Sequence, residues 1–230
     1  ALATAQNNGT STINALTQTP VAKPAARAAI ETAANNKVQQ INKSQSLTNE
    51  ERTEQIAAIR QKEAAAKQAV AAQTSTQDVT STQNAQVQAI NDTLVLAFKK
   101  PAALAAIEAA EATKRQQIQD SQMLAEEKTA ALRDLDSKVQ AAKDALKTAQ
   151  SNQDVQNVEN NQLSQIQAVP TQSPARQTAT NEIMDAYNAR KQLISNESWL
   201  TTDEKNEKLR ELETAKDEAL ERVNQANGEY

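Results

Sequence analysis

The sequence has no cysteine and no histidine in its 230 residues. These absences exclude disulfides, thiol nucleophiles and the usual Cys/His zinc sites, as well as the side chain best suited to proton transfer near neutral pH. Most catalytic arrangements are therefore missing. We expect a protein that is not an enzyme, with no catalytic, cofactor-binding or metal-binding residues.

Aromatic residues and glycine are also scarce. The chain has one Trp, two Tyr, one Phe and two Gly, and its five prolines stand at separated points. Alanine, glutamine, asparagine and threonine are abundant by contrast. This composition favours helices that pack around a thin aliphatic core.

Charge and hydropathy narrow the class of partners. The net charge of −4 is small and mixed in sign, whereas a nucleic-acid partner would need a basic face. No apolar run is long enough for a membrane span or a signal peptide. We therefore expect no nucleic-acid binding and no membrane insertion by this segment, and we place any targeting signal outside it.

One phrase occurs three times along the chain. SLTNEERTEQIAAI begins at Ser46, and related stretches begin at Met123 and Trp199. Ile30, Ile107 and Ile183 match in the same alignment, at separations of 107 − 30 = 77 and 183 − 107 = 76 residues. The period predicts three repeats, 1–77, 78–153 and 154–230, and we expect them to belong to a longer array.

Within each repeat the apolar residues recur at steps of three and four, and the one interrupted place of the stripe is Glu63, Val139 or Lys216. In the last helix of each repeat they are Ile56, Ile59, Ala66 and Val70; Leu132, Leu135, Ala142 and Leu146; and Leu209, Leu212, Ala219 and Val223. This pattern predicts three helices per repeat, each of about 20 to 28 residues. An up-down-up bundle has its termini at opposite ends. We therefore predict an all-α fold of tandem three-helix bundles joined end to end into an elongated rod, about 110 Å long.

Capping patterns indicate where helices begin. Thr48 and Glu51 form one capping box, and Thr201 and Glu204 form another. The second repeat has lost a residue at this corner and reads Ala125-Glu126-Glu127, so we expect a weaker cap there. Prolines follow a cap residue in Thr19-Pro20 and Ser173-Pro174, and Pro101 marks the same corner of the second repeat.

The junctions TSTQDV (74–79) and SNQDV (151–155) contain neither glycine nor proline. Each junction is open to two interpretations. The helix either continues through it, or restarts with Asp78 or Asp154 as N-cap. We favour a continuous or slightly bent helix.

A basic residue lies on the apolar stripe of every repeat, as Lys37, Lys114 and Arg190. It is either a ligand contact or a structural residue, and we favour the structural role. We expect its stem to pack on the core and its charge to pair with an acidic residue of a neighbouring helix.

Two further groups are candidate sites. The carboxylates of Asp134 and Asp136, and those of Asp217, Glu218 and Glu221, suggest a metal site. Consecutive helical carboxylates point in different directions, however, so a solvated face is the better interpretation. Trp199 and Met123 occupy equivalent positions beside the turn, where we expect them to cover the end of a bundle rather than anchor a partner.

The order of motifs resembles a known family. It consists of DV-x10-I, a proline corner, I-x2-A-x3-K-x3-I, LTxEE and a final heptad-like helix. It is similar to a helical repeat of about 75 residues, long labelled a domain of unknown function, in giant wall-anchored surface proteins of Gram-positive bacteria. These proteins include relatives of the extracellular-matrix-binding protein homologue and of a methicillin-resistance-associated surface protein. The resemblance implies an extracellular, cell-wall-attached stalk or adhesin segment, and it supplies no catalytic residues.

Three function classes remain open. The first is a structural spacer that projects an adhesive region from the cell wall, a monomer whose partners are the neighbouring repeats of its own chain. The second is a helical binding module for a host or extracellular-matrix protein, which would need an exposed apolar patch in every repeat. The third is an intracellular spectrin-like scaffold, which predicts stronger leucine seams and more core aromatics. We favour the spacer.

Overall fold

The structure, a computed structural model, describes residues 1–16 and 21–226, and the regular elements of this part are all helices. The predicted Thr19-Pro20 cap lies outside these residues. The helices are α1 Leu2–Asn14, α2 Ala22–Lys43, α3 Asn49–Ala72, α4 Thr76–Asn91, α5 Lys99–Asp120, α6 Ala125–Thr148, α7 Asn152–Gln167, α8 Pro174–Asn196 and α9 Thr202–Gln225. The prediction of an all-α fold built from tandem helical bundles is confirmed.

Helices α2, α3 and α4 pack together as the first bundle. Its core holds Ala26, Ile30 and Ala33 of α2, Ala66 and Val70 of α3, and Val79 and Ile90 of α4. The Lys23 ammonium at the start of α2 donates to the Ala71 carbonyl at the end of α3, at 2.7 Å. The two helices are therefore antiparallel, and the cation stabilises the carbonyl end of α3.

An extended strap, residues 93–98, follows the first bundle. Val95 and Ala97 pack on a second cluster formed by Ala34, Ile41, Leu47 and Ile59. The alternate residues Leu94, Leu96 and Phe98 are exposed. The Gln55 side chain holds the strap by donating to the Leu96 carbonyl at 2.6 Å and accepting from its N–H at 3.3 Å. The period of two is typical of extended backbone with one buried face.

Helices α5, α6 and α7 repeat the buried pattern of the first bundle. Ala103, Ile107, Ala142, Leu146, Val155 and Ile166 stand at the places of Ala26, Ile30, Ala66, Val70, Val79 and Ile90, and all are buried. Between α5 and α6, Lys143 pairs with Glu108 at 3.4 Å. The same pattern of apolar residues is therefore buried in both sets of helices.

Helices α8 and α9 pack on each other without a third helix among the described residues. The Arg176 guanidinium donates to the Val223 and Ala226 carbonyls, as Lys23 does in the first bundle. Neither helix has a buried residue, and α1 has none either. Both ends of the described chain thus leave apolar positions uncovered.

Two sequence predictions about the helices are wrong. Helices α4 and α7 have 16 residues each, shorter than predicted, because the strap and its counterpart after α7 are not helical. The junctions are not continuous helices either. Ser75 caps α4 by accepting from the Asp78 N–H at 3.1 Å, and Ser151 accepts from the Asp154 N–H at 3.0 Å. The N-caps are the serines rather than Asp78 and Asp154.

The position of the repeat boundaries stays a prediction. The predicted repeats begin with α1, α4 and α7, and they are residues 1–77, 78–153 and 154–230. The packing of α4 against α2 and α3 instead favours repeats that begin one helix later in the chain. The contacts also form two compact units, Ala1–Ala102 with Lys147–Val155, and Ala103–Leu146 with the chain from Gln156 onward.

Candidate functional site: polar joints at the helix corners

Polar contacts concentrate at the corner between α2 and α3. Thr48 is the N-cap of α3, and its hydroxyl accepts from the Glu51 N–H at 3.3 Å. The Glu51 carboxylate reaches back to accept from the Thr48 N–H at 3.0 Å. The predicted capping box is confirmed, and so are the box of Thr201 and Glu204 and the cap of Ser173 followed by Pro174.

Glu51 has a second set of partners that the capping pattern does not predict. Its other carboxylate oxygen accepts from the backbone N–H groups of Phe98 and Lys99, at 2.8 and 3.0 Å, where α5 begins. We call this contact the first joint. One buried carboxylate thus connects the second helix of a bundle to the first helix of the next, and it also satisfies free N–H groups at two helix starts.

The electrostatics of Glu51 favour its charged form. Burial by itself raises the pKa of this carboxyl, but backbone hydrogen bonds from Thr48, Lys99 and Phe98 hold the pKa below its ordinary value. A carboxylate whose oxygens already accept these bonds is a poor proton donor at neutral pH. The joint is suited to holding helices rather than to acid catalysis.

Glu127 forms the equivalent contact, which we call the second joint. It accepts from the Leu124 N–H at 2.9 Å and from the Ala175 N–H of α8 at 3.2 Å. Burial raises the pKa of Glu127, but hydrogen bonds from Ser173, Leu124 and Ala175 lower it overall. Glu127 keeps this role although Leu124 lacks the capping hydroxyl. The second repeat keeps the glutamate of the capping box but not the threonine. This difference is the sequence signal from which the joint could be predicted.

Residues 150–152, at the corner between α6 and α7, add to the first joint. The Asn49 N–H donates to the Gln150 carbonyl at 2.7 Å, and the Asn152 N–H donates to the Glu50 carboxylate at 3.0 Å. The Thr48 hydroxyl donates to the Asn152 side chain at 2.7 Å. All these residues lie in the first compact unit. The α2–α3 corner is therefore held by hydrogen bonds to two places in the sequence that follows it.

Lys100 completes the same corner. Its buried ammonium donates to the Gln45 carbonyl at 2.9 Å and to the Lys147 carbonyl at 3.2 Å. Burial lowers the pKa of Lys100, the charge of Arg52 lowers it further, and Glu51 opposes the shift. Its position matches Lys23 and Arg176, so each bundle uses a basic residue at the start of one helix to bind the carbonyl end of the next.

The basic residues on the apolar stripe have other partners than predicted. Lys37 and Lys114 are buried, as a packed stem requires. Their ammonium groups donate to backbone carbonyls, Lys37 to Asn91 at 2.7 Å and Lys114 to Gln167 at 2.8 Å. The predicted acidic partner is wrong, because the free carbonyls at the end of a helix supply the negative potential instead. Arg190 is exposed.

The acidic residues of both candidate clusters contact basic or amide side chains nearby. Asp134 pairs with Lys138 and Asp136 with Arg115. Asp217 pairs with Lys216 at 3.1 Å and Glu218 with Arg222 at 3.5 Å, and the Glu221 carboxylate accepts from Gln225 at 2.6 Å. Among the described residues, no group of three carboxylates has a geometry that would hold a metal ion.

Trp199 and Met123 do not share an environment. Met123 is buried, whereas Trp199 is 89% exposed. Met123 directly precedes Leu124, the residue before α6, as the buried Leu47 precedes Thr48, the cap of α3. The residue missing from the second repeat is therefore lost before Met123 rather than after it. Trp199 does not cover the end of a bundle in this structure.

None of the described helices has both the length and the hydropathy needed to cross a bilayer. A family model described as Domain of Unknown Function (DUF1542) matches residues 22–97, 99–173 and 175–229. Each match begins with a helix of the α2 type, and the first two end one or two residues before the backbone N–H groups that form a joint. No curated protein and no solved structure matches the chain.

Proposed function

The chain belongs to the DUF1542 family through three tandem matches, and from this premise we propose that it is a non-enzymatic structural repeat segment of a large bacterial cell-surface protein. Its role is that of a stalk that projects an adhesive region from the cell wall, in an extracellular, wall-attached setting. The observation that carries this proposal is the joint, which uses an equivalent glutamate, Glu51 or Glu127, each time.

The joints suit a spacer that resists bending. Glu51 accepts from α3 with one oxygen and from the start of α5 with the other. Bonds to a charged acceptor are stronger than neutral ones, and burial shields them from competing water. A succession of such corners resists bending better than a flexible linker does.

A length experiment tests the stalk. A fluorophore is placed before residue 1, and one chain or two tandem chains are anchored in a Gram-positive cell wall. Localisation microscopy then measures the distance from fluorophore to wall. If the chain is a stalk, two chains hold the fluorophore twice as far from the wall as one chain does. If the chain is a flexible coil, the distance grows only by about the square root of two. Square-root growth would contradict the proposal.

The exposed row on the strap favours a second candidate function, the helical binding module. Leu94, Leu96 and Phe98 are 73%, 47% and 63% exposed and lie side by side. Such a row is a candidate anchor for a host or extracellular-matrix protein. Binding to immobilised matrix proteins that is lost in Leu94→Ser with Phe98→Ser would support it. The spacer remains preferred, because the counterpart after α7 has no such row.

A further inference from the structure

A cavity of about 770 Å³ lies at the corner between α2 and α3. Its walls are the end of α2 with the start of α3, the start of α5, and the end of α6 with the two residues that follow it. All of these lining residues belong to the first compact unit. A cavity of this volume has the size of a small-molecule site.

The charged residues that line the cavity are all of one sign. Four of its twelve described lining residues are basic and none of the twelve is acidic, the four being Lys43, Arg52, Lys100 and Lys147. The chain as a whole has more acidic than basic residues, 29 against 25. The cavity is therefore an exception to the charge of the chain, and its positive potential favours an anion.

The electrostatics of Lys100 show the same excess of positive charge. Burial lowers the pKa of this ammonium, and the charge of Arg52 lowers it further. Glu51 opposes the shift, but it is not among the lining residues. An anion in the cavity would relieve the repulsion between the two cations.

Two of the cations are held in place and keep donors for a ligand. Lys100 donates to two backbone carbonyls of the corner, which leaves the third N–H of its ammonium. Arg52 donates from Nη1 to the Asn49 side chain and from Nη2 to the Ser44 carbonyl, each at 2.9 Å. Each terminal nitrogen of Arg52 therefore keeps a second N–H. Such a guanidinium suits the oxygens of a phosphate group.

The uncharged part of the lining is mostly polar. Only Leu47 and Ala149 are apolar, and the other six residues carry an amide or a hydroxyl: Asn42, Ser44, Gln45, Asn49, Thr148 and Gln150. Amides and hydroxyls both donate and accept, as the hydroxyl groups of a ligand require. We propose that this cavity binds a phosphate group carried by a small polyol or sugar. The proposal goes beyond the stalk function and does not depend on attachment to a surface.

The equivalent corner of the second repeat lacks this charge, although it has the second joint. Asp120 stands at the place of Lys43, and Asn224 stands at the place of Lys147. Two of the four basic places are therefore not basic there, and one of them is acidic. The proposed site belongs to the first corner alone, and the second corner serves as an internal control.

Titration of the full chain with glycerol 3-phosphate, a small polyol phosphate, tests the proposal. At constant ionic strength, we expect saturable shifts of the NMR amide signals of residues 44–52 and 147–150. The signals of the equivalent residues 121–128 should not move. Glycerol lacks the phosphate, glycerate carries a carboxylate in its place, and inorganic phosphate lacks the polyol, so each of the three should bind several-fold more weakly.

Lys43→Asp places the residue of the second corner in the first. Lys43 is exposed and is the last residue of α2, as Asp120 is the last residue of α5, so the variant should keep its fold. We expect it to weaken the binding of glycerol 3-phosphate by about tenfold, because one charge near the anion is reversed. Lys62→Asp is the matched control, since Lys62 is exposed on α3 and does not line the cavity. It should bind like the unmodified chain.

Several results would overturn the proposal. Equal shifts at the two corners, or shifts that do not saturate, would show only a general attraction to anions. Equal losses in Lys43→Asp and Lys62→Asp would have the same meaning. Glycerate that binds as tightly as glycerol 3-phosphate would contradict a phosphate site, and inorganic phosphate that does so would contradict a role for the polyol.

Discussion

At the scale of single residues, the most informative side chain is Glu51. A capping-box glutamate normally serves only its own helix. Here one oxygen serves α3 and the other serves the start of α5, and only 7% of the residue is exposed. Its removal therefore affects two helix starts at once.

Glu51→Gln tests the first joint. The amide retains the shape but loses the charge and replaces one acceptor with a donor, which faces N–H groups. We expect the free energy of unfolding to fall by about 1–3 kcal/mol, the usual range for a buried hydrogen bond to a charged group. Urea unfolding followed by circular dichroism measures this change. Glu54→Gln is the matched control, because Glu54 is exposed on the same helix, and it should leave stability unchanged.

The same variant should alter the response to acid. The folded pKa of Glu51 lies below its ordinary value. Its charged form therefore contributes stability that is present above the unfolded pKa of about 4.3 and is lost as the pH falls through the folded value. The unmodified chain should lose more stability than Glu51→Gln when urea midpoints are compared at pH 7 and in this acidic window. Parallel losses in both proteins would argue against a charged joint.

At the scale of helices, the serine caps decide where the chain turns. Ser75 has φ −114° and ψ 155°, an extended conformation that suits a residue before proline. Thr76 is the first residue of α4, a position where proline is well tolerated. Helix α8 contains this arrangement naturally, as Ser173 followed by Pro174.

Two proline substitutions distinguish the observed break from a continuous helix. Thr76→Pro should change the free energy of unfolding by no more than about 0.5 kcal/mol. Thr80→Pro, at an exposed position inside α4, should cost about 3 kcal/mol or more, because it removes a helical hydrogen bond and clashes with the preceding turn. Thermal and urea unfolding of both variants provide the comparison. A large loss of stability in Thr76→Pro would instead support a helix that continues through the junction.

The elements differ in how far the sequence could predict them. The caps at Thr48, Thr201 and Ser173 were predictable, because a capping residue and its partner are neighbours in the chain. The carbonyl partner of Lys37 was not predictable, since every residue has a carbonyl and only the fold decides which one lies nearby. The break at Ser75 was not predictable, because serine and aspartate both cap helices and a helix can end without glycine or proline.

At the scale of the whole molecule, two fragments of similar length test the repeat boundaries. Residues 22–97 keep the first bundle, with Ile30 and Val70 covered by Val79 and Ile90. Residues 1–77 lack that cover. We expect fragment 22–97 to be the more stable, by about 3 kcal/mol or more for burial of the two side chains. Urea unfolding measures both. Equal stability would favour the boundaries predicted from the sequence period.

The stalk makes a final prediction about dimensions in solution. Helices such as α3, with 24 residues, are about 36 Å long at 1.5 Å per residue. Three such bundles joined end to end would give a maximum dimension on the order of 100 Å, whereas a compact chain of this length would have a radius of gyration of about 17 Å. Small-angle scattering of the full chain measures the shape. A compact particle would contradict the stalk. A smaller radius of gyration in Glu51→Gln with Glu127→Gln, at unchanged helicity, would identify the joints as the points that keep the rod from bending.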